Sequence, residues 1–173
     1  MRNVASLALV AGCLLAWLTV TPSPAQAGKA SMDARERAVV RSINRQRGHH
    51  GLRGVRGNAG LARAADYHSW EMLAGDYFAH ESRDGGPFDQ RVRRFAQHRA
   101  LGETLAMVSG GCRGRLASRV VGMWMNSPGH RAILLSSGFR LVGIGARAGW
   151  LGGSRSCVVT ADFASRRESP GPS

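Results

Sequence analysis

The spacing of apolar residues predicts five helices, because apolar side chains recur at three- and four-residue steps within polar segments. The segments are residues 31–47, 58–75, 88–95, 116–126 and 127–135. Asn58 and Ser127 stand at the starts of the second and fifth helices, where a short polar side chain can accept hydrogen bonds from free backbone N–H groups. Glycines follow the first and second segments and end them.

Three later segments alternate apolar and polar residues with a period of two, which is typical of strands. They cover residues 101–108, 140–146 and 157–164, and a glycine-rich turn containing Trp150 joins the last two. Helices therefore come first, strands come late, and further helices lie between them. This order predicts an α+β domain with helices on both sides of a small, mostly antiparallel sheet.

The N-terminal segment is typical of a secretory signal peptide, with a basic start, an apolar run over residues 4–20 and a small-residue site ending at Ala27. We expect cleavage after Ala27 and a secreted protein with no transmembrane segment in its mature form. Lipidation of Cys13, which follows a small-residue sequence, is the alternative. Residues 28–164 then form one domain, and the polar, proline-containing tail over residues 165–173 is expected to be disordered.

Removal of residues 1–27 would leave two cysteines, Cys112 and Cys157. Because oxidation is normal for exported proteins, we expect these two to form a disulfide. Two free thiols are one alternative. The other is a catalytic Cys112 that works with a histidine, which its glycine-rich surroundings do not specifically support.

The chain carries a formal net charge of +13 at pH 7, and arginine supplies all but one of its 24 basic residues. Such an excess favours anionic partners, for example polymers or lipid headgroups of the cell envelope. The arginines are spread over nearly every segment, however, and there is neither a basic stripe with interleaved aromatic residues nor a nucleic-acid motif. The distribution argues against nucleic-acid binding and keeps an anionic envelope ligand open.

Several short motifs together resemble a known family. In chain order they are Ala64–Ser69 with Met72, Tyr77–His80, Gly102–Ala106, Trp124–Arg131 and Val142–Gly145. Their order and sequence are similar to the short bacterial branch of the CAP superfamily, named for cysteine-rich secretory, antigen 5 and pathogenesis-related proteins. The resemblance covers residues 35–164 and implies a three-layer α-β-α sandwich with a central cleft.

Many members of this superfamily line the cleft with two histidines and two acidic residues. The resemblance implies that His80, Glu103 and His130 are three of these four residues here. The second acid does not carry over, because Asn126 and Ser127 occupy the place where it is expected. The candidate site is therefore a triad, and a mechanism that needs two carboxylates is in doubt.

The chemistry of the triad permits proton transfer or weak metal binding. His130 lies in the first turn of a helix, whose positive end favours the neutral imidazole, a ready metal ligand or proton acceptor. His80 and His130, with Glu103 or water, could hold a divalent ion such as Zn²⁺. Since strong zinc sites use three or four protein ligands, we expect weak, exchangeable binding and no required cofactor.

The remaining polar candidates have simpler structural interpretations. His68 shares an apolar helical face with Leu61, Ala65 and Met72 and is expected to be a hydrogen-bonded core residue. Ser127 has the spacing of a helix cap and not of a catalytic serine. The other histidines are expected to be exposed, and three helical acids are expected to form surface ion pairs; these residues are His49, His50 and His98, and Glu36, Glu71 and Asp76.

We therefore expect a monomeric, non-enzymatic extracellular module whose cleft binds a glycan, lipid or peptide. The missing second acid favours binding over catalysis. The alternative is a hydrolase of peptide or cell-wall amide bonds that uses His80, Glu103 and His130 as acid-base or metal-site residues. A third hypothesis is a cationic protein that associates with anionic envelope material through its charge and Trp150.

Overall fold

The computed structural model describes residues 31–166. The predicted signal peptide, Cys13 and most of the predicted tail lie outside this range. The helices are α1 (Ala34–His49), α2 (Ala59–Gly75), α3 (Phe88–Arg93), α4 (Leu116–Asn126) and α5 (Pro128–Leu134). The strands are β1 (Arg56–Gly57), β2 (Leu101–Ser109), β3 (Leu141–Leu151) and β4 (Ser154–Ala164).

The strands form one sheet in the order β1-β3-β4-β2. The β2–β4 and β3–β4 pairs are antiparallel, and the two-residue strand β1 pairs parallel to β3. Helix α2 packs on one face of the sheet, and α1 and α4 pack on the other. The predicted α-β-α sandwich is confirmed, whereas β1 was not predicted because two residues are too few to show an alternating pattern.

The hairpin of β3 and β4 is longer than its pattern predicted. Trp150 lies within β3, directly opposite Arg155, and not in the connecting turn. The turn is formed by Gly152 and Gly153, both with positive φ angles (55° and 73°). Two central residues with positive φ match the right-handed twist of a tight hairpin, and glycine adopts such angles without steric cost. The Trp150 residue remains 64% exposed.

The larger part of the core lies between the sheet and the helices α1 and α4. Trp124 of α4 is fully buried there, and its indole Nε1 donates a hydrogen bond of 2.9 Å to the carbonyl of Leu105 in β2. The disulfide between Cys112 and Cys157 is present and buried in the same core, which confirms the predicted pairing. A crosslink that closes a 45-position loop stabilises the fold by about 4 kcal/mol on the chain-entropy model.

The two predicted helix caps differ in their hydrogen bonds. Asn58 Oδ1 accepts from Leu61 N at 3.0 Å and starts α2. Ser127 holds the cap position of α5 but makes no side-chain cap hydrogen bond. Glu36 was wrongly predicted to be a surface residue: it is buried, completes a capping box with Asp33, and accepts from the backbone N of Ala146 in β3.

Helix α2 approaches β3 so closely that no side chain fits between the two backbones. A Cβ atom added to Gly143 would lie 2.1 Å from the backbone of Leu61 and Ala62, and one added to Gly145 would lie 2.3 Å from the N of Asp66. Both glycines lie on the α2 face of the sheet. These positions therefore require glycine for space and not for an unusual backbone angle.

Among residues 31–166, no helix combines the length and the apolar character needed to cross a membrane.

The substitution Gly143→Ala is expected to lower the free energy of unfolding by about 3 kcal/mol, because the added methyl group must push α2 away from the sheet. The matched control is Gly122→Ala in α4, where a Cβ meets nothing within 4 Å. Alanine favours a helix over glycine, so this control should gain about 1 kcal/mol. Urea unfolding of both variants measures the difference, and equal effects would contradict the close packing of α2.

Candidate functional site

His80 is placed by contacts on both sides of its backbone. Helix α2 ends at Asp76 in the left-handed conformation (φ 50°), and the following segment carries His80 back toward the sheet. The imidazole Nε2 of the buried His68 donates to the carbonyl of Ala79 at 2.9 Å. Arg91 Nη1 of α3 donates to the carbonyl of His80 at 3.1 Å. The position of His80 therefore depends on the packing of α2 and α3.

Glu103 of β2 is the centre of the polar contacts at the site. The residue is only 2% exposed, and each of its carboxylate oxygens has one partner. His80 Nδ1 lies 2.8 Å from Oε1, and Arg91 forms a buried ion pair with Oε2. Because a carboxylate only accepts, Nδ1 of His80 carries the proton and its Nε2 is left to face outward.

His130 of α5 is the third residue of the predicted triad, after His80 and Glu103. Its ring centroid lies 6.2 Å from that of His80, with the ring planes tilted by 52°. The His80 side chain is 46% exposed and His130 is half-buried, so both imidazoles reach solvent. Folding thus brings His80, Glu103 and His130 together, and Arg91 joins them; these four residues are called the His80 site below.

Charge at the His80 site is arranged around Glu103. Burial opposes ionisation of this carboxyl, but the hydrogen bond from His80 and the charge of Arg91 together outweigh it and hold its pKa below the usual range. The hydrogen bond to Glu103 in turn raises the pKa of His80. Burial and the neighbouring His80 charge lower the pKa of His130. Near pH 6.5 the two imidazoles therefore differ in charge, with His80 protonated and His130 neutral.

A second carboxyl group lies beside the site at a position that the sequence analysis missed. Asp162 of β4 is directly opposite Glu103 of β2 on one side and Gly143 of β3 on the other. It is fully buried beneath α2, and neither of its carboxyl oxygens has a hydrogen-bond partner among residues 31–166. Burial and the negative charge of Glu103 raise the pKa of Asp162 well above its ordinary value. The pKa values of the two acids are therefore shifted in opposite directions, which favours an ionised Glu103 and a neutral Asp162.

Asp162 and Arg91 left different signals in the sequence. Asp162 is the one acid in residues 157–164, where Thr160 is the only other polar residue, and such an acid in a central strand is a recognisable anomaly. The expected place of a second acid, just after Trp124, is on a different element. Arg91 had no such signal, because it is one of many arginines in the chain.

The other polar candidates are not members of the His80 site, although His68 supports the backbone beside it. His68 is fully buried and hydrogen-bonded, as predicted, with Nδ1 3.1 Å from Glu71 Oε2. His49 and His50 are exposed, whereas His98 is buried and its predicted exposure was wrong. Asp76 is exposed, but its Oδ1 accepts from the backbone N of Gly152 instead of pairing with an arginine.

The His80 site does not fit a tightly held metal ion. Both oxygens of Glu103 already have partners, so the open donors are the two imidazoles, and strong zinc sites use three or four protein ligands. Across residues 31–166, no group of three or more His, Cys, Asp or Glu side chains is arranged to hold an ion. Weak binding of a divalent cation by His80 and His130, with or without Glu103, stays a prediction.

The fold and the site define a class of protein, a small α-β-α sandwich with two solvent-facing histidines beside a buried acid. The model of the CAP family, described as the cysteine-rich secretory protein family, matches residues 40–163. The chain belongs to this family, and the resemblance of its motifs is confirmed.

Comparisons with individual proteins agree with this assignment. The uncharacterized protein YkwD of Bacillus subtilis (strain 168) is 31% identical over 136 residues, covering 73% of this chain and 51% of that protein. The chain thus spans about half the length of this curated relative.

Two solved structures share the fold. An extracellular protein containing an SCP domain from Bacillus anthracis str. Ames has a TM-score of 0.63 at 24% identity, over 76% of this chain and 40% of that one. An outer surface protein from Borrelia burgdorferi has a TM-score of 0.61 at 20% identity, over 80% of this chain and 99% of that one. At these identities the similarity shows the common fold alone.

The two imidazoles are expected to titrate at different pH values. In an NMR titration, His80 should lose its proton above pH 6.5 and His130 below it, because only His80 is hydrogen-bonded to Glu103. In the variant His80→Gln, the pKa of His130 should rise, since the neighbouring charge is removed, yet stay below its ordinary value, since the burial remains. Titration of His130 above His80 would contradict the described geometry.

Asp162→Asn is expected to leave the protein at least as stable as the parent at pH 7. The raised pKa means that the folded state keeps a proton that the unfolded chain releases above pH 3.8, so the parent loses stability as the pH rises from there toward the folded pKa. Asparagine does not titrate and avoids this loss. Urea unfolding at pH 4 and pH 7 measures the effect.

The matched control is Asp66→Asn. Asp66 is equally buried but forms an ion pair with Arg147 at 2.7 Å, so its neutralisation should lower stability at pH 7. If Asp162→Asn destabilises as strongly as Asp66→Asn at that pH, Asp162 is ionised and the assignment of one neutral acid fails.

Proposed function

We propose that the protein is an extracellular, non-enzymatic binding module that uses the His80 site to hold a ligand of the cell envelope. Membership of the cysteine-rich secretory protein family supports this proposal. The N-terminal 27 residues, with their signal-peptide pattern, support export. The solved relatives named above are described as an extracellular and an outer surface protein, which agrees with the same location.

The observation that carries the proposal is the engagement of Glu103. A general base or nucleophile needs a carboxylate that can reach the substrate. Both oxygens of Glu103 are held by His80 and Arg91, and Asp162 is fully buried. Glu103 therefore supports the imidazole of His80, and neither acid is placed to reach a substrate, which favours recognition over bond cleavage.

The open groups of the site suit a polar ligand with an apolar face. Nε2 of His80 and the ring of His130 have no hydrogen-bond partners among the described residues and can donate or accept according to pH. Phe78, two residues before His80, is 43% exposed and offers an aromatic surface to a sugar or lipid. A glycan, lipid or peptide of the envelope matches these groups.

A serine-dependent hydrolase has less support. Ser127 lies at the start of α5, three residues before His130, and no described hydrogen bond joins its hydroxyl to a histidine. A nucleophilic serine needs a base within hydrogen-bond reach and a group that orients that base. The competing hypothesis is a hydrolase that uses only the imidazoles of His80 and His130 for acid-base chemistry.

The test is binding and turnover measured on the same sample. The full sequence is expressed in a bacterium, and the protein from the medium is incubated with cell-wall fragments and peptide libraries, with and without Zn²⁺. We expect retention on wall fragments without new products. The variant His80→Ala/His130→Ala should bind about tenfold more weakly, which corresponds to the loss of one or two hydrogen bonds.

The control variant is His49→Ala, which removes an exposed imidazole at the end of α1 and should bind like the parent. Product formation that disappears in His80→Ala/His130→Ala would make the protein a hydrolase. Retention that is sensitive to salt and equal in all variants would instead assign binding to net charge, with exposed Trp150 as a contact.

A further inference from the structure

Two adjoining pockets lie near the start of β3, close to the β1 edge of the sheet. The first has a volume of about 250 Å³. Four of its five lining residues are arginines, namely Arg53, Arg56, Arg140 and Arg166, and the fifth is Gly54. The residues of this pocket are called the arginine pocket below.

The second pocket has a volume of about 400 Å³ and shares Arg166 with the arginine pocket. It adds one more arginine, Arg63, and apolar side chains. Its other lining residues are Asn58, Gly60, Phe95, Ala96, His98 and Leu141. The two pockets meet at Arg166, one with a cationic lining and the other with a partly apolar lining, and together they are called the groove below.

None of the described residues that line either pocket is acidic. Among residues 31–166, no described salt bridge reaches any of the four arginines of the arginine pocket. Guanidinium groups do not lose their charge at physiological pH. Their mutual repulsion therefore costs stability in the free protein and would be relieved by a bound anion.

The arginine pocket is supported from beneath by another arginine. Arg47 of α1 is fully buried and donates to the carbonyls of Arg53 and Phe139, at 2.9 and 3.2 Å. The backbone N of Arg56 donates to the carbonyl of Arg140 at 2.9 Å. These bonds hold the two chain segments that carry Arg53, Arg56 and Arg140 in fixed positions before any ligand arrives.

Arg47 also adds positive charge to the pocket. All its described hydrogen bonds go to backbone carbonyls, and no described salt bridge joins it to a carboxylate. Burial and the charge of Arg140 lower its pKa, which reflects the unbalanced positive charge of this region. A buried cation that is hydrogen-bonded to the backbone of Arg53 and has no described carboxylate partner adds to an arrangement that suits an anionic ligand.

We propose that the arginine pocket and the pocket beside it bind a chain that carries two or more phosphate groups. Arginine forks match the oxygens of phosphate and form paired, charge-assisted hydrogen bonds with them. Arg166 lies between the two pockets, so one phosphate can occupy each side of it. Phe95, Ala96 and Leu141 then contact the less polar unit that links the phosphates.

This groove is separate from the His80 site and does not rest on the function proposed for that site. Glu103 lies on β2, whereas Arg56 lies on β1, and strands β3 and β4 are between them. Three spacings between neighbouring strands amount to about 14 Å. The protein would thus have one contact for a phosphate chain and another for the ligand of the imidazoles.

The test compares two double variants of equal charge. Arg53→Gln/Arg56→Gln removes two exposed arginines of the pocket, and Arg113→Gln/Arg119→Gln removes two exposed arginines elsewhere. Calorimetry at constant ionic strength measures binding of tripolyphosphate and of orthophosphate. We expect the pocket variant to bind tripolyphosphate about tenfold more weakly, and the control less than about twofold. Orthophosphate should bind the parent at least about tenfold more weakly than tripolyphosphate.

A thermal measurement separates binding from folding. Without ligand at low salt, Arg53→Gln/Arg56→Gln should have a Tm no lower than the parent, because it removes repulsion between like charges. Tripolyphosphate should raise the Tm of the parent and of the control, but hardly that of the pocket variant. Equal losses of binding in both double variants, or no binding of tripolyphosphate by the parent, would overturn the proposal.

Vesicles distinguish the sources of phosphate. Phosphatidylglycerol vesicles are compared with phosphatidylcholine vesicles, with the same two double variants. If the parent protein binds phosphatidylglycerol vesicles more weakly than tripolyphosphate at the same phosphate concentration, the ligand is a phosphate-bearing polymer that is soluble or attached to the cell wall. If the protein binds phosphatidylglycerol vesicles but not tripolyphosphate, the proposal of a phosphate-chain ligand is wrong and the ligand is a lipid headgroup.

Discussion

Helix α2 lies directly against β3, and this close contact covers the polar groups of the sheet beneath the helix. Gly143 and Gly145 allow the helix backbone to lie directly on the strand, because any Cβ atom at these positions would overlap it. At this short distance Ser69 of α2 reaches Thr160 of β4 with a hydrogen bond of 2.9 Å. The same contact covers Asp162 and excludes water from it. Gly143 and Gly145 therefore keep polar groups beneath α2, such as Asp162, out of contact with solvent.

The His80 site is a consequence of this packing. The end of α2 directs the chain toward His80, and His68 on the same helix holds the carbonyl just before it. Arg91 binds the carbonyl of His80 and the carboxylate of Glu103, so one side chain fixes both the backbone and the charge of the site. Glu103 is thereby stabilised as an anion in a buried place, which leaves the two imidazoles as the groups that meet solvent.

Arginine has three different physical roles in this protein. Arg91 neutralises a buried carboxylate, and Arg47 fills the hydrogen-bonding capacity of backbone carbonyls in the core. The arginines of the arginine pocket line a concave surface and have no acidic partner within residues 31–166. The net charge of +13 does not distinguish paired arginines from unpaired ones. Among the described residues, folding leaves the positive charge at the β1 edge of the sheet without acidic partners, and this is the charge that the proposed anion binding would use.

The sequence predicted five helices, three of the four strands, the sandwich and three members of the His80 site. Local periodicity and short motifs carry that information, because each depends on residues close together in the chain. The disulfide between Cys112 and Cys157 was predicted from the number of cysteines and the expected export. The pairing of Glu103 with Asp162, the role of Arg91, the burial of Glu36 and His98 and the arginine pocket were decided only by the tertiary structure. They join residues that are far apart in sequence. The register of the strands and the distance between layers, which no local pattern specifies, determine whether such groups meet.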